Sequence, residues 1–145
     1  MPKATDFPAV GVIKSIDDDV LIFCPRDTAY ELRLLNVAKS TGPIGVRVEG
    51  YIRLAARKIY TVPSGGNFIS PIFGPPRIVQ GRVRYLDDSE MVVQAGAPVI
   101  VELPKDESAY DLVRGDLTVA SLVNVVALPG ARFELAVIAA VARAV

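Results

Sequence analysis

One pattern limits what this chain can fold into. Set Gly11 against Gly81, and "GVIKSIDDDVLIF" (11–23) lies over "GRVRYLDDSEMVV" (81–93) without a gap. Ile13 falls on Val83, Lys14 on Arg84, Ile16 on Leu86, and Asp17–Asp18 on Asp87–Asp88. Later segments follow in the same order. "YEL" (30–32) matches "VEL" (101–103), and "GPIGVRV" (42–48) matches "GDLTVAS" (115–121). The closing segments "YIRLAARKIYTV" (51–62) and "VNVVALPGARFELA" (123–136) have a similar shape. An internal duplication is the simplest account of four segments in order.

Most repeated segments read as strand. They are short, rich in Val, Ile, Tyr and Phe, and bounded by Gly, Pro and Asp. In "RVRYL", Arg82 and Arg84 alternate with Val83 and Tyr85, the period-two sign of a half-buried strand. Asp17–Asp19 and Asp87–Ser89 suit hairpin turns, because an Asp side chain bonds local amides and tolerates left-handed geometry. In the second half, "PKDESAYDLV" predicts a helix from Pro104, with Asp106 and Glu107 in its first turn and Gly115 ending it. The matching "NVAKSTG" of the first half is long enough only for a loop or one turn. Strand, strand, strand, helix, strand, strand is the element order of an OB-fold.

The expected fold class is therefore all-β, mainly β with one short helix. It is expected as two tandem small OB-like barrels related by internal duplication, with SH3-like or double-psi closure as the alternative. Residues 1–62 would form the first barrel and 78–145 the second, which carries a C-terminal extension. Residues 63–77, "PSGGNFISPIFGPPR", hold four prolines and three glycines, which argues against regular structure. Phe68, Ile69, Ile72 and Phe73 are too apolar for a solvated linker, so the segment reads as a strap laid over the barrels. The alternative is that it inserts into a partner. The tail after Phe133, "ELAVIAAVARAV", permits either strand or helix.

At 145 residues with 51 % hydrophobic side chains, the chain can bury a substantial core if its halves pack together. Sixteen basic and sixteen acidic residues balance, unlike a strongly basic nucleic-acid binder. One cysteine, Cys24, allows no internal disulfide, and no apolar run reaches the length of a spanning helix. The expected setting is a soluble, cytoplasmic protein with no membrane association.

Chemistry-bearing motifs are sparse. The chain has no histidine, so Cys24 lacks the usual base that would make it a nucleophile. Asp17–Asp19 could ligate a hard cation such as Ca²⁺, but nothing around them resembles an EF-hand loop. "PSGGNF" lacks the Lys and Ser/Thr of a phosphate-binding loop. "RLAAR" (53–57) before "NFISPIFG" (67–74) is similar to the paired motifs of PilZ-type domains, but the spacing of its polar residues departs from theirs. No catalytic, cofactor or metal residue is expected.

A non-catalytic binding or assembly module is the leading reading, acting by protein–protein interaction or self-association as a homo-oligomer. Its contacts would be Phe68, Ile69, Ile72 and Phe73. The alternative is single-stranded nucleic-acid binding by the first barrel, with Arg53, Arg57 and Lys58 on phosphates and Tyr51 or Tyr60 stacking on bases. An enzyme of unidentified reaction comes third.

Overall fold

The computed structural model describes residues 2–110 and 117–136. The chain is all-β. Its strands are β1 (Ala9–Asp17), β2 (Val20–Pro25), β3 (Glu31–Leu35), β4 (Arg47–Thr61), β5 (Phe68–Ser70) and β6 (Phe73–Gly74). They continue with β7 (Ile78–Leu86), β8 (Glu90–Gln94), β9 (Pro98–Glu102), β10 (Leu122–Ala127) and β11 (Arg132–Leu135). Among the described residues no helix is long and apolar enough to cross a membrane.

Both expected hairpins form, and they share an irregularity. β1 pairs antiparallel with β2 and β7 with β8. The register slips between Ile13 and Ser15 in one and between Val83 and Tyr85 in the other, so Lys14 and Arg84 are the bulged residues. Gly11 and Gly81 meet the same constraint. A Cβ on Gly11 would strike the carbonyl oxygen of Cys24, and one on Gly81 that of Gln94. Each glycine is there because a neighbouring backbone comes too close for a side chain.

The third strands correct the sequence match. Leu32 lies opposite Phe23, and Val99 lies opposite Val93. Since Phe23 matches Val93, the ladder sets Leu32 against Val99, whereas the text match of "YEL" to "VEL" set it against Leu103. Short strands with alternating apolar residues match by eye in several registers, and only cross-strand pairing selects one.

The pairings trace two circuits. In the first, β1 pairs β2, β2 pairs β3, β3 meets β11, β11 pairs β4, and β4 returns to β1. In the second, β7 pairs β8, β8 pairs β9, β9 pairs β4, β4 pairs β10, and β10 returns to β7. Each circuit takes its last strand from the other half of the chain. Residues 52–55 of β4 run parallel to β9, and Arg132 of β11 runs parallel to Leu35 of β3. The β3–β11 seam is the thinner one, held by this bridge and by Leu35 N–H donating to the Ala131 carbonyl at 2.9 Å.

β4 serves both circuits because its alternation supports one long strand. Val48, Gly50, Ile52, Leu54 and Ala56 point inward, with the residues between them half-buried. The phase then slips at Arg57, and Ile59 takes the inward position. One main core results, with residues of both halves in it. Phe23 of β2 packs on Phe133 of β11, ring centroids 4.5 Å apart, which ties the last strand into the first circuit.

Two further expectations change. In the described part of the expected Pro104–Gly115 helix there is one three-residue 3-10 turn, Glu107–Ala109. The Asp106 carboxylate caps this turn, accepting from both the amide and hydroxyl of Ser108 at 2.9 Å. Tyr110 is already extended and bridges to Ile59. The rest of that segment, 111–116, lies outside the described residues, as do tail residues 137–145. In the first half, the corresponding stretch is a loop as expected. Asn36, buried, donates to the Ser40 carbonyl and accepts from its amide, both at 2.9 Å.

Segment 63–77 is also more regular than its prolines suggested. It contributes β5, antiparallel on β7, and β6, parallel on β3. Prolines flank these pieces without entering them, so the backbone donors of Phe68–Ser70 and Phe73–Gly74 remain available for pairing.

Candidate functional site

The strap is anchored by its backbone to both circuits. Ile69 lies opposite Val79 of β7, and its amide donates to the Tyr30 hydroxyl at 2.9 Å. Glu31 N–H donates to the Ile72 carbonyl at 2.8 Å, and Arg77 N–H to the Ser70 carbonyl at 2.8 Å. The side chains divide differently. Ile69 is buried at 2 % exposure, but Phe68 is 38 %, Ile72 49 % and Phe73 67 % exposed. The expectation that all four are covered therefore holds for Ile69 alone. Period-two alternation in β5 sends Ile69 inward and Phe68 outward. Ile72 lies in the bend after Pro71 and Phe73 begins β6, and both side chains stay exposed.

Beside the strap opens a cleft of about 780 Å³. One wall is the strap itself, with Pro71, Pro75 and Pro76, and the other is the turn from β10 to β11, with Leu128 and Pro129. Among the described residues Arg57 and Arg77 are its only charged lining residues, and both are exposed. Arg57 is there because of the bulge in β4. Ala56 pairs with Ala127 and Lys58 with Val126, so Arg57 is the extra residue and turns outward. Arg77 is placed by its carbonyl, which accepts from Ala127 N–H at 2.9 Å. Neither guanidinium makes an ion pair or hydrogen bond among the described residues. A smaller cleft of about 360 Å³ lies near Arg26 and Arg84. There Arg84 is committed to the Gln94 side chain at 3.2 Å and stacks over the Phe7 ring at 5.0 Å.

The basic and aromatic set suggested for nucleic acid is split up. Arg53, with 17 % of its side chain exposed, bonds Glu134 at 2.7 Å and Glu90 at 3.4 Å, so two carboxylates offset its charge. Tyr51 donates its hydroxyl to the Thr5 carbonyl at 2.9 Å and packs on a small cluster of Ala4, Val92 and Ile100. Lys58 and Tyr60 are exposed on β4 beyond the bulge, and Arg57 faces the cleft. Of this set only Arg57 joins the strap in one place.

The remaining candidates have local partners. Asp19 of the Asp17–Asp19 turn accepts from Lys39 Nζ at 2.6 Å, and the ammonium beside it lowers its pKa. Cys24 is half-buried, and burial, with the Glu31 charge adding to it, pushes its thiol above the ordinary value. A raised thiol pKa disfavours the thiolate that nucleophilic chemistry needs.

Sequence reading missed Arg77 and the Leu128–Pro129 turn. Arg77 was visible only as the last residue of a proline-rich segment. Nothing in the order of residues places it beside Arg57, which lies on another strand and turns outward at a bulge. No protein-family model, curated protein or solved structure matched the chain in comparisons with known proteins.

Proposed function

We propose that the protein is a non-catalytic binding or assembly module that docks a protein partner on the strap and its adjoining cleft. The observation that carries this reading is the division of the strap. Its backbone is fixed by pairing with β7 and β3, while Phe68, Ile72 and Phe73 stay exposed and the strap residues Ser70, Pro71, Pro75 and Pro76 line a partly apolar cleft. A rigid backbone presenting apolar side chains loses little entropy when a partner covers them. Three exposed large apolar groups on one short segment are more than the scattered single ones of an ordinary surface. Self-association is the form in which the partner is a second copy. The ion-paired Arg53 and the packed Tyr51 weigh against the nucleic-acid reading.

The supporting architecture belongs to the same proposal. We read the two circuits as OB-like barrels that exchange their fifth strands, related by the duplication. What supports this is the common strand order and the shared bulges at Lys14 and Arg84.

The test compares wild type with a variant carrying Ile72→Ser and Phe73→Ser. Both are followed by circular dichroism, analytical ultracentrifugation and selection from a display library of random dodecapeptides. The expected result is a folded variant that has lost the self-association or peptide capture of the wild type. A wild type that stays at 15.5 kDa and captures nothing overturns the reading. A variant that unfolds would make these side chains structural.

A further inference from the structure

The cleft carries a charge statement that the strap does not. Among the described residues its lining is mostly proline and aliphatic, with Ser70, two arginines and no carboxylate. Elsewhere on the described surface four basic side chains are ion-paired: Lys14 with Glu31, Lys39 with Asp19, Arg53 with Glu134, and Arg132 with Glu102. Arg26, Arg33, Arg47 and Lys58 form no ion pair among the described residues and line no such apolar cleft. Arg57 and Arg77 reach the cleft from separate elements, β4 and the strap's end, and both guanidinium groups have their donors unspent. In a protein whose charges balance overall, this is a local positive concavity.

We propose that the cleft holds an acidic peptide segment of a partner protein. Side-chain carboxylates bind Arg57 and Arg77, and aliphatic or proline groups pack against Pro71, Ile78 and Leu128. The proposal rests on the binding-module reading and adds the chemistry of the partner. Guanidinium groups suit carboxylates because their forked donors meet both oxygens. The apolar lining gives the segment somewhere to bury side chains, and a cleft of about 780 Å³ has room for a few residues. Single-stranded nucleic acid is the other anionic polymer. It is held through aromatic platforms on which bases stack, and among the described residues no aromatic lines this cleft.

Three proteins distinguish the outcomes in the same display selection: wild type, the strap variant above, and a variant with Arg57→Gln and Arg77→Gln. Both arginines are exposed, so the glutamine variant is expected to fold. The expected result is that wild type enriches peptides rich in Asp and Glu. The best of these, synthesised with a fluorophore, then binds the glutamine variant at least ~10-fold more weakly and weakens with added salt. Enriched peptides without acids, bound equally by the glutamine variant but lost in the strap variant, overturn this inference and leave the binding-module reading intact. No enrichment at all overturns the inference too, and ultracentrifugation then decides the broader reading. Tighter binding of labelled oligo(dT) than of any selected peptide, abolished by the glutamine pair, also overturns it and assigns the arginines to nucleic acid.

Discussion

Tyr85 and Asp87 show how one turn is built from side-chain chemistry. The Tyr85 hydroxyl donates to Asp87 at 2.6 Å, and Asp87 also accepts from the amides of Ser89 and Glu90 at 2.8 and 2.9 Å. The hydrogen bond from Tyr85, followed by those from the turn, lowers the Asp87 pKa below its ordinary 3.8. The same bond, with burial and the neighbouring carboxylates adding to it, pushes Tyr85 up to about 12. The signs follow. The Asp87 contribution to stability is present above pH 3.8 and fades as pH falls through its lower folded value. The Tyr85 contribution is present below pH 10 and is lost as pH rises toward about 12. Tyr85→Phe should flatten the alkaline limb of a plot of melting temperature against pH and raise the Asp87 pKa seen by NMR. An unchanged alkaline limb would mean that this hydroxyl does not couple to folding. The second residue prediction concerns close approach. Gly81→Ala places a methyl against the Gln94 carbonyl, and because that atom is backbone it cannot step aside. Destabilisation of about 3 kcal/mol is expected in urea unfolding, with Gly11→Ala behaving alike.

Among the elements, β11 is short but structurally central. Phe133 is buried against Phe23, and Arg53 on β4 joins Glu134 of β11 to Glu90 of β8. Phe133→Ala should cost about 3–5 kcal/mol, as for other buried aromatic truncations. Arg53→Ala should cost less, about 1–2 kcal/mol, because the carboxylates it leaves are partly solvated. Equal effects in chemical denaturation would show that the ion pairs, rather than packing, hold β11. The strap teaches a related lesson. Its apolar residues were legible as out of place in a linker, and its attachment was not. Which of Phe68 and Ile69 points inward depends on the register with β7, and that register depends on where β7 itself is held.

For the whole molecule, the exchange of strands predicts cooperativity. β4 lies in both circuits and β11 crosses back to the first, so neither half can lose its strands without opening the other. Calorimetry should show one transition, with calorimetric and van't Hoff enthalpies equal. Two separable transitions would show that the halves are independent despite their shared strands.

Strand content, the two aspartate hairpins and the equivalence of Gly11 with Gly81 were all written in local residue order. Alternation, turn chemistry and a glycine at a close approach act over a few residues, so a reader of sequence can find them. The partners of β4 and β11 were not legible, because pairing depends on which edges are free once all strands are placed. The register of the third strands was hidden for the same reason. So was the cleft, where Arg57 and Arg77 meet only because a bulge in one strand and the end of the strap are brought together by long-range pairing.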